Sequence, residues 1–232
     1  MREKPRVHRV VTFVNTYRIQ HVVAIVPSTK TLYNYIHQGL LEIKAIDFPR
    51  AVRIRKKFTK RPSTKKHLGK SIEERLEEIN NRSRFGDWEI DSVLGGKIVG
   101  EPSILTLVER QTRYAITKKL VEKKAEYVNQ AVIECMKLYP IKSITADNGN
   151  EFASLSEIEG LDVYFAHAYS SYDRGTYEHF NGLLREFIPR GSSLKELSQD
   201  LLEYYTKGIN ERPRRILGYQ SAKKLFELTQ TA

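Results

Sequence analysis

The segment Asp147-Asn148-Gly149-Asn150-Glu151-Phe152, directly after the apolar stretch 141–146, constrains this chain more than any other. It reads as a strand that ends in a tight Asp-Asn-Gly turn and opens a helix. A carboxylate at the carboxyl end of a central strand stands where open α/β sheets keep their chemistry. The neighbouring pattern supplies the rest of such a sheet. Residues Trp88 to Leu94, Ser103 to Glu109 and Tyr114 to Leu120 read as three consecutive strands joined by Gly- and Thr-containing turns. From Lys123 to Tyr139, Ala125, Val128, Val132, Cys135 and Tyr139 recur at helical spacing, and Pro140 ends the run. Residues 141–146 return as a strand, Glu151 to Ile158 as a helix and Val163 to Ala166 as a further strand. After Pro189, the stretches Leu194 to Ile209 and Ser221 to Leu228 are helical in pattern.

With 232 residues the chain has room for one domain of ordinary size and a small appendage. The formal charge of +11 is concentrated: from Arg50 to Lys70 there are ten Lys or Arg and no acid. Such a run selects a polyanionic partner, nucleic acid ahead of a membrane surface, because no lipid-facing amphipathic pattern accompanies it. A solvated basic linker is the plainer alternative. No stretch approaches the length of a membrane-spanning helix. The lone Cys135 excludes an internal disulfide framework and fits a reducing compartment, so a cytoplasmic location is expected. Its place on the apolar stripe makes it a core residue.

Three parts are expected. Residues 1–45 hold a small helical segment in which Ser28 caps a helix running from Thr29 to about Gln38, with Gly39 as its stop. Leu32, Ile36 and Leu40 would bury one face, leaving Thr29, Lys30, Asn34 and His37 for solvent or a DNA groove. Residues 46–84 read as a basic linker with Pro49 and Pro62 that ends in an acid-rich helical piece from Ser71 to Ile79, and residues 85–232 as the main domain with its C-terminal helices.

Three carboxylates stand out. Asp91 lies inside the first strand of the main domain, where burial is costly without a metal or partner. Asp147 sits at the strand-to-turn junction, and Glu178 follows Arg174-Gly175-Thr176-Tyr177. On a helix, Tyr177, Phe180, Leu183, Leu184 and Phe187 gather on one side, with Glu178, Asn181, Gly182 and Arg185 on the other. Singly, each acid has a bland alternative: a solvated strand Asp, a turn Asp or an exposed helical Glu. Together, each at the proper element of one sheet, they suit phosphodiester chemistry. Two divalent ions roughly 3.5–4 Å apart can activate the attacking oxygen and stabilise the leaving one. Hard ions take carboxylate oxygens and keep several waters. There is neither a Cys/His zinc pattern nor a phosphate-cradling glycine loop.

The motifs Gly86-Asp87-Trp88-Glu89-Ile90-Asp91, Leu107-Val108-Glu109-Arg110-Gln111-Thr112-Arg113-Tyr114, Asp147 to Phe152, Arg174 to Glu178 with Asn181-Gly182-Leu183, and Asn210-Glu211-Arg212-Pro213-Arg214 with Leu217-Gly218-Tyr219 resemble those of insertion-sequence-thirty family transposases. The resemblance spans about residues 85 to 228 and implies a ribonuclease-H-like core, a mixed five-stranded sheet flanked by helices, of the aspartate–aspartate–glutamate group. It implies Asp91, Asp147 and Glu178 as catalytic acids holding two Mg2+ or Mn2+ ions. It implies duplex DNA as partner, both transposon ends and target, and a homo-oligomer on that DNA. Thr29, Lys30, Asn34, Arg53, Arg55, Lys56, Lys57, Lys65, Lys66, Arg174 and Arg185 are then the DNA-contact candidates. Tyr177 departs from the Asn usual in that family. Members also begin with a further helix-turn-helix that has no counterpart here, so a truncated chain is expected. The leading reading is a transposase that cuts and joins strands. The alternatives are a non-catalytic DNA-binding remnant and a ribonuclease-H-like nuclease that does not join strands.

Overall fold

The computed structural model describes residues 10–22, 25–44, 47, 68–96, 100–167 and 175–231, with the backbone alone at 175–178. At the amino end, helix α1 (Val10–Gln20) packs on α2 (Thr29–His37) through Val10, Val14 and Ile36, with Val26, Leu32 and Tyr33 at the margin. The Ser28 hydroxyl accepts the Thr31 N–H at 3.1 Å, which fixes the start of α2 as its sequence predicts. Helix α1 had no clear signal, because Val10, Val11, Thr12, Val14 and Thr16 are β-branched and disfavour a helix until a partner buries them.

The main sheet contains β1 (Lys70–Ser71), β2 (Asp87–Leu94), β3 (Ser103–Glu109), β4 (Ala115–Leu120), β5 (Ser143–Ala146) and β6 (Asp162–Phe165). Its strand order is β1-β6-β5-β2-β3-β4. The β2-β3-β4 meander is antiparallel, whereas β5 runs parallel to β2 and β6 parallel to β5. That is the ribonuclease-H-like arrangement expected, with one difference: the two-residue β1 adds a sixth strand beside β6. Residues from Lys70 onward therefore join the sheet instead of ending a linker. Ile72 and Ile79, the latter on the short helix α3 (Glu77–Asn80), are buried beneath it. The acid-rich stretch from Ser71 to Ile79, helical in pattern, forms a 3-10 turn at Ile72–Glu74 and then α3.

Helix α4 (Ala125–Leu138) covers one face through Val128, Ala131, Val132 and Cys135. Burial pushes the Cys135 thiol pKa up, so it stays a protonated core group. On the other face, α5 (Gly175–Leu184) and α6 (Gln199–Glu211) pack Phe180, Leu184, Leu202, Tyr205 and Ile209 against Val93, Ile104, Val108 and Ala115. The hairpin β7 (Pro213–Arg214) with β8 (Gln220–Ser221) leads into α7 (Ala222–Gln230), whose Phe226 stacks on Tyr114 at 4.3 Å.

Two expected helices are corrected. The stretch Glu151 to Ile158 forms two short 3-10 turns, Asn150–Phe152 and Leu155–Glu157, with Phe152 and Leu155 in the core and the Ser154 carbonyl between the turns taken by the Asn129 amide at 3.0 Å. The helix expected from Leu194 begins only at Gln199, where the Ser198 hydroxyl caps it by accepting the Leu201 N–H. Leu194 and Leu197 are buried as loop residues.

The outer strand β4 has its edge closed by two amides from α6. Asn210 accepts the Ala115 N–H at 2.9 Å and donates to the Ala115 carbonyl at 2.8 Å. Gln199 does the same for the Lys119 N–H and Thr117 carbonyl. Both side chains imitate a neighbouring strand, which protects an edge otherwise open to pairing with another chain.

Candidate active site

The site grows out of one face of β2. Side chains alternate along a strand, so Asp87, Glu89 and Asp91 share that face. The first two are fully buried, and arginines neutralise them. Arg84 grips Asp87 at 2.6 Å while the Ser143 hydroxyl donates to the same carboxylate at 2.6 Å. Arg110, itself buried, meets Glu89 at 2.5 Å and also donates to the Ile79 carbonyl. Asp91, at the carboxyl end of the row, accepts a hydrogen bond from Asn181 Nδ2 at 2.7 Å and is also attracted by the Arg185 guanidinium.

Strand β5 delivers the second acid. Its parallel register with β2 pairs Asp87 with Ser143 and Glu89 with Thr145. Carried two residues further, that register sets Asp147 beside Asp91, on strands about 4.8 Å apart. The turn after β5 is tightly built. Asp147 Oδ1 accepts the Gly149 N–H at 2.8 Å, and Asn148 Nδ2 ties the turn to the Ala166 carbonyl at 2.8 Å. Glu151, nearly buried, pairs with Lys123 at 2.8 Å and lies against Gly149. A Cβ at position 149 would fall 2.5 Å from Glu151 Oε2 and 2.8 Å from Asp147 Oδ1, so any other residue there must displace one of the two carboxylates.

Helix α5 carries Glu178 at backbone level, three residues before Asn181 and therefore one turn earlier on the same side. The polar face expected for this helix turns toward the end of β2, not toward solvent. Arg185 donates to the Leu94 carbonyl at 2.7 Å. Burial, then repulsion from Arg190, lowers its pKa. Beyond it, Glu101 accepts the Leu194 N–H and the Ser193 hydroxyl, holding the β2–β3 turn against the segment after α5.

Of the expected triad, Asp91 lies on β2, Asp147 directly follows the neighbouring β5, and Glu178 lies on α5, which packs on β2 and β3; its side chain is outside the described residues. Among the described residues no cluster of three or more His, Cys, Asp and Glu is assembled. The donors that are described, hard carboxylate oxygens at Asp91 and Asp147, suit magnesium or manganese. Of the DNA-contact candidates, Lys30 and Asn34 are exposed on α2 and Thr29 is half-buried. Arg185 is engaged with β2, and Arg53, Arg55, Lys56, Lys57, Lys65, Lys66 and Arg174 lie outside the described residues. The motif reading passed over Asn181 as a contact of Asp91 and over the Lys123–Glu151 pair. The partners are 90 and 28 residues apart, so only the topology brings them together.

Comparison with known proteins decides the family. The chain is 89% identical over all 232 residues to a probable transposase for insertion-like sequence element IS1161 of Streptococcus salivarius, spanning 68% of that relative. The chain belongs to the insertion-sequence-thirty family of transposases. It is 37% identical over 161 residues to the transposase for insertion sequence element IS4351 of Bacteroides fragilis. It is also 37% identical over 165 residues to the transposase InsI for insertion sequence element IS30A of Escherichia coli K12. These matches cover 67% and 68% of this chain but only 49% and 42% of the relatives. No family model matches. Among solved structures, the catalytic core domain of BIV integrase aligns with a TM-score of 0.49 at 16% identity, covering 63% of this chain and 96% of that one. The family is one of DNA-cleaving, strand-transferring enzymes. No helix among the described residues is long and apolar enough to cross a membrane.

Proposed function

We propose that this chain catalyses metal-dependent DNA strand cleavage and strand transfer at the ends of an insertion sequence, with Asp91, Asp147 and Glu178 as its catalytic acids. The observation that carries the reading is the β2–β5 register. Continued by two residues, it would bring Asp147 opposite Asp91, whose side chain meets Asn181 of the helix that bears Glu178, and this supports the reading. The acids farther back in the row are spent on arginines, so the row's negative charge is concentrated at the mouth of the sheet.

In this reading Asp91, Asp147 and Glu178 hold divalent ions through their carboxylate oxygens. Bound magnesium or manganese supplies activation of the attacking oxygen and stabilisation of the leaving one. The chain's own residues do the positioning. The Gly149 N–H fixes one oxygen of Asp147, and the Asn148 amide holds the turn to the end of β6. Lys123 neutralises Glu151, so a second carboxylate can sit beside Asp147 without repelling it.

The partner in this reading is duplex DNA, both element ends and target, bound by more than one copy of the chain because an element has two ends to join. The Arg50–Lys70 run grips phosphates without reading sequence. Lys30 and Asn34 on α2, beside Thr29, are positioned to meet a groove. The single buried cysteine fits action in the cytoplasm.

The test is cleavage of DNA carrying the element's ends, with purified protein and Mg2+ or Mn2+. Wild type nicks and joins; Asp147→Asn, nearly isosteric, does neither. Equal nicking by both proteins contradicts the assignment. In parallel, binding weakens steeply with salt, and neutralising Lys56, Lys57, Lys65 and Lys66 together flattens that slope. An unchanged slope returns the run to a solvated linker.

A further inference from the structure

Asn181 stands between strand and helix at the one place where the two must agree. Its Nδ2 donates to Asp91 Oδ2 at 2.7 Å. Its Oδ1 is buried and has no hydrogen-bond partner. A carboxylate cannot donate, so the amide must face Asp91 with its nitrogen, and the orphaned oxygen follows from that choice. A buried acceptor left open costs free energy unless something arrives to donate to it. The same helix is pinned one turn further on, where Arg185 donates to the Leu94 carbonyl at 2.7 Å. Asn181 and Arg185 together fix α5 in height and rotation on the end of β2. Glu178 rides three residues earlier on the same helix, about 4.5 Å along its axis.

We propose that Asn181 is a positioning residue of the metal site. It fixes the orientation of Asp91, sets the height of the helix turn that carries Glu178, and keeps Oδ1 ready to accept a hydrogen bond from water on a hydrated divalent ion. The inference rests on the assignment of Asp91 and Glu178 as metal-holding acids. It adds the residue that couples them. Groups that orient the side chains binding a metal contribute strongly to its affinity, and their loss typically costs about 10–100-fold.

The test uses the full chain and Mn2+ alone, with free Mn2+ measured by electron paramagnetic resonance. Asn181→Leu keeps the volume and removes both donor and acceptor. Asp91 is only half-buried, so water replaces the lost amide, and the metal-free melting temperature stays at the wild-type value. Mn2+ affinity falls at least tenfold, and saturating Mn2+ restores cleavage. Wild-type Mn2+ affinity in this variant overturns the inference.

Asn181→Asp provides a second reading that does not depend on how well leucine packs. It places a carboxylate against Asp91, so the metal-free protein melts earlier and Mn2+ raises its melting temperature by more than it raises that of wild type. An equal Mn2+-induced rise in the two proteins also overturns the inference. Asp91→Asn separates this proposal from the one beneath it. If Asp91→Asn loses Mn2+ binding while Asn181→Leu keeps it, the role of Asn181 alone fails. If neither changes Mn2+ binding, the assignment of the acids fails first.

Discussion

The two ends of the acid row on β2 are built from the same residue type and do opposite work. Asp87 and Glu89, at the amino end, are buried and matched with Arg84 and Arg110. Asp91, at the carboxyl end, is half-buried and accepts a hydrogen bond from the Asn181 amide. There the amide orients the carboxylate, and Arg185, which donates to the Leu94 carbonyl, adds an electrostatic attraction. In the proposed function this difference separates acids that hold the fold from acids that hold cations, even though all three lie on one face of one strand.

The largest expected effect breaks the comparison at the carboxyl end. Asp91→Asn and Asp147→Asn each abolish cleavage of end DNA while the urea-unfolding midpoint stays near wild type, because the loss is chemical and not structural. The reverse pattern is expected at the amino end. Arg110→Met leaves the buried Glu89 without its cation and destabilises the fold by about 3–5 kcal/mol, the usual cost of breaking a buried pair. Urea denaturation checks this, and a change below about 1 kcal/mol would place Glu89 among the solvated acids.

Gly149→Ala sharpens the boundary between the two ends. Its new Cβ meets the carboxylates of Asp147 and Glu151, so the turn must shift by a fraction of an ångström. Cleavage is expected to fall about 100-fold, as small misplacements of catalytic groups do. Far-ultraviolet circular dichroism should remain unchanged.

The smallest effect lies at the rim, at Glu101. Backbone and hydroxyl donors at Leu194 and Ser193 hold its carboxyl pKa below the ordinary 4.5. A depressed folded-state pKa contributes stability above the unfolded value, lost as pH falls through the folded one. Thermal melts of wild type and Glu101→Gln should therefore differ at pH 7 and converge as pH drops below about 4. A difference that persists at lower pH would mean the glutamate acts by shape and not by charge.

Much of this was legible in the sequence where a signal is local. Strand β3 was bounded correctly at Ser103 and Glu109, and Ser28 and Gly39 marked the ends of α2 closely, because alternation and caps are read within a few residues. The polar and apolar sides of α5 were also legible from helical spacing. What those sides face was not, since a solvated surface and a site-facing surface share one pattern. The same limit hid the split within Asp87-Trp88-Glu89-Ile90-Asp91. Alternation puts the three acids on one face, but Arg110 reaches Glu89 only after β3 has folded back on β2. Helix α1 and strand β1 were missed for a related reason. Their residues have weak local preference and are held by tertiary contacts with α2 and β6.

The central claim is that Asp91, Asp147 and Glu178 share divalent ions while Asp87 and Glu89 do not. Anomalous diffraction from crystals soaked in Mn2+ tests it most directly. Manganese peaks are expected about 2.0–2.3 Å from carboxylate oxygens of Asp91 and Asp147, with the Glu178 carboxylate bound to manganese in the same site. Manganese bound at Asp87 or Glu89, or a Glu178 side chain pointing away from an ion held by the two aspartates, would contradict it.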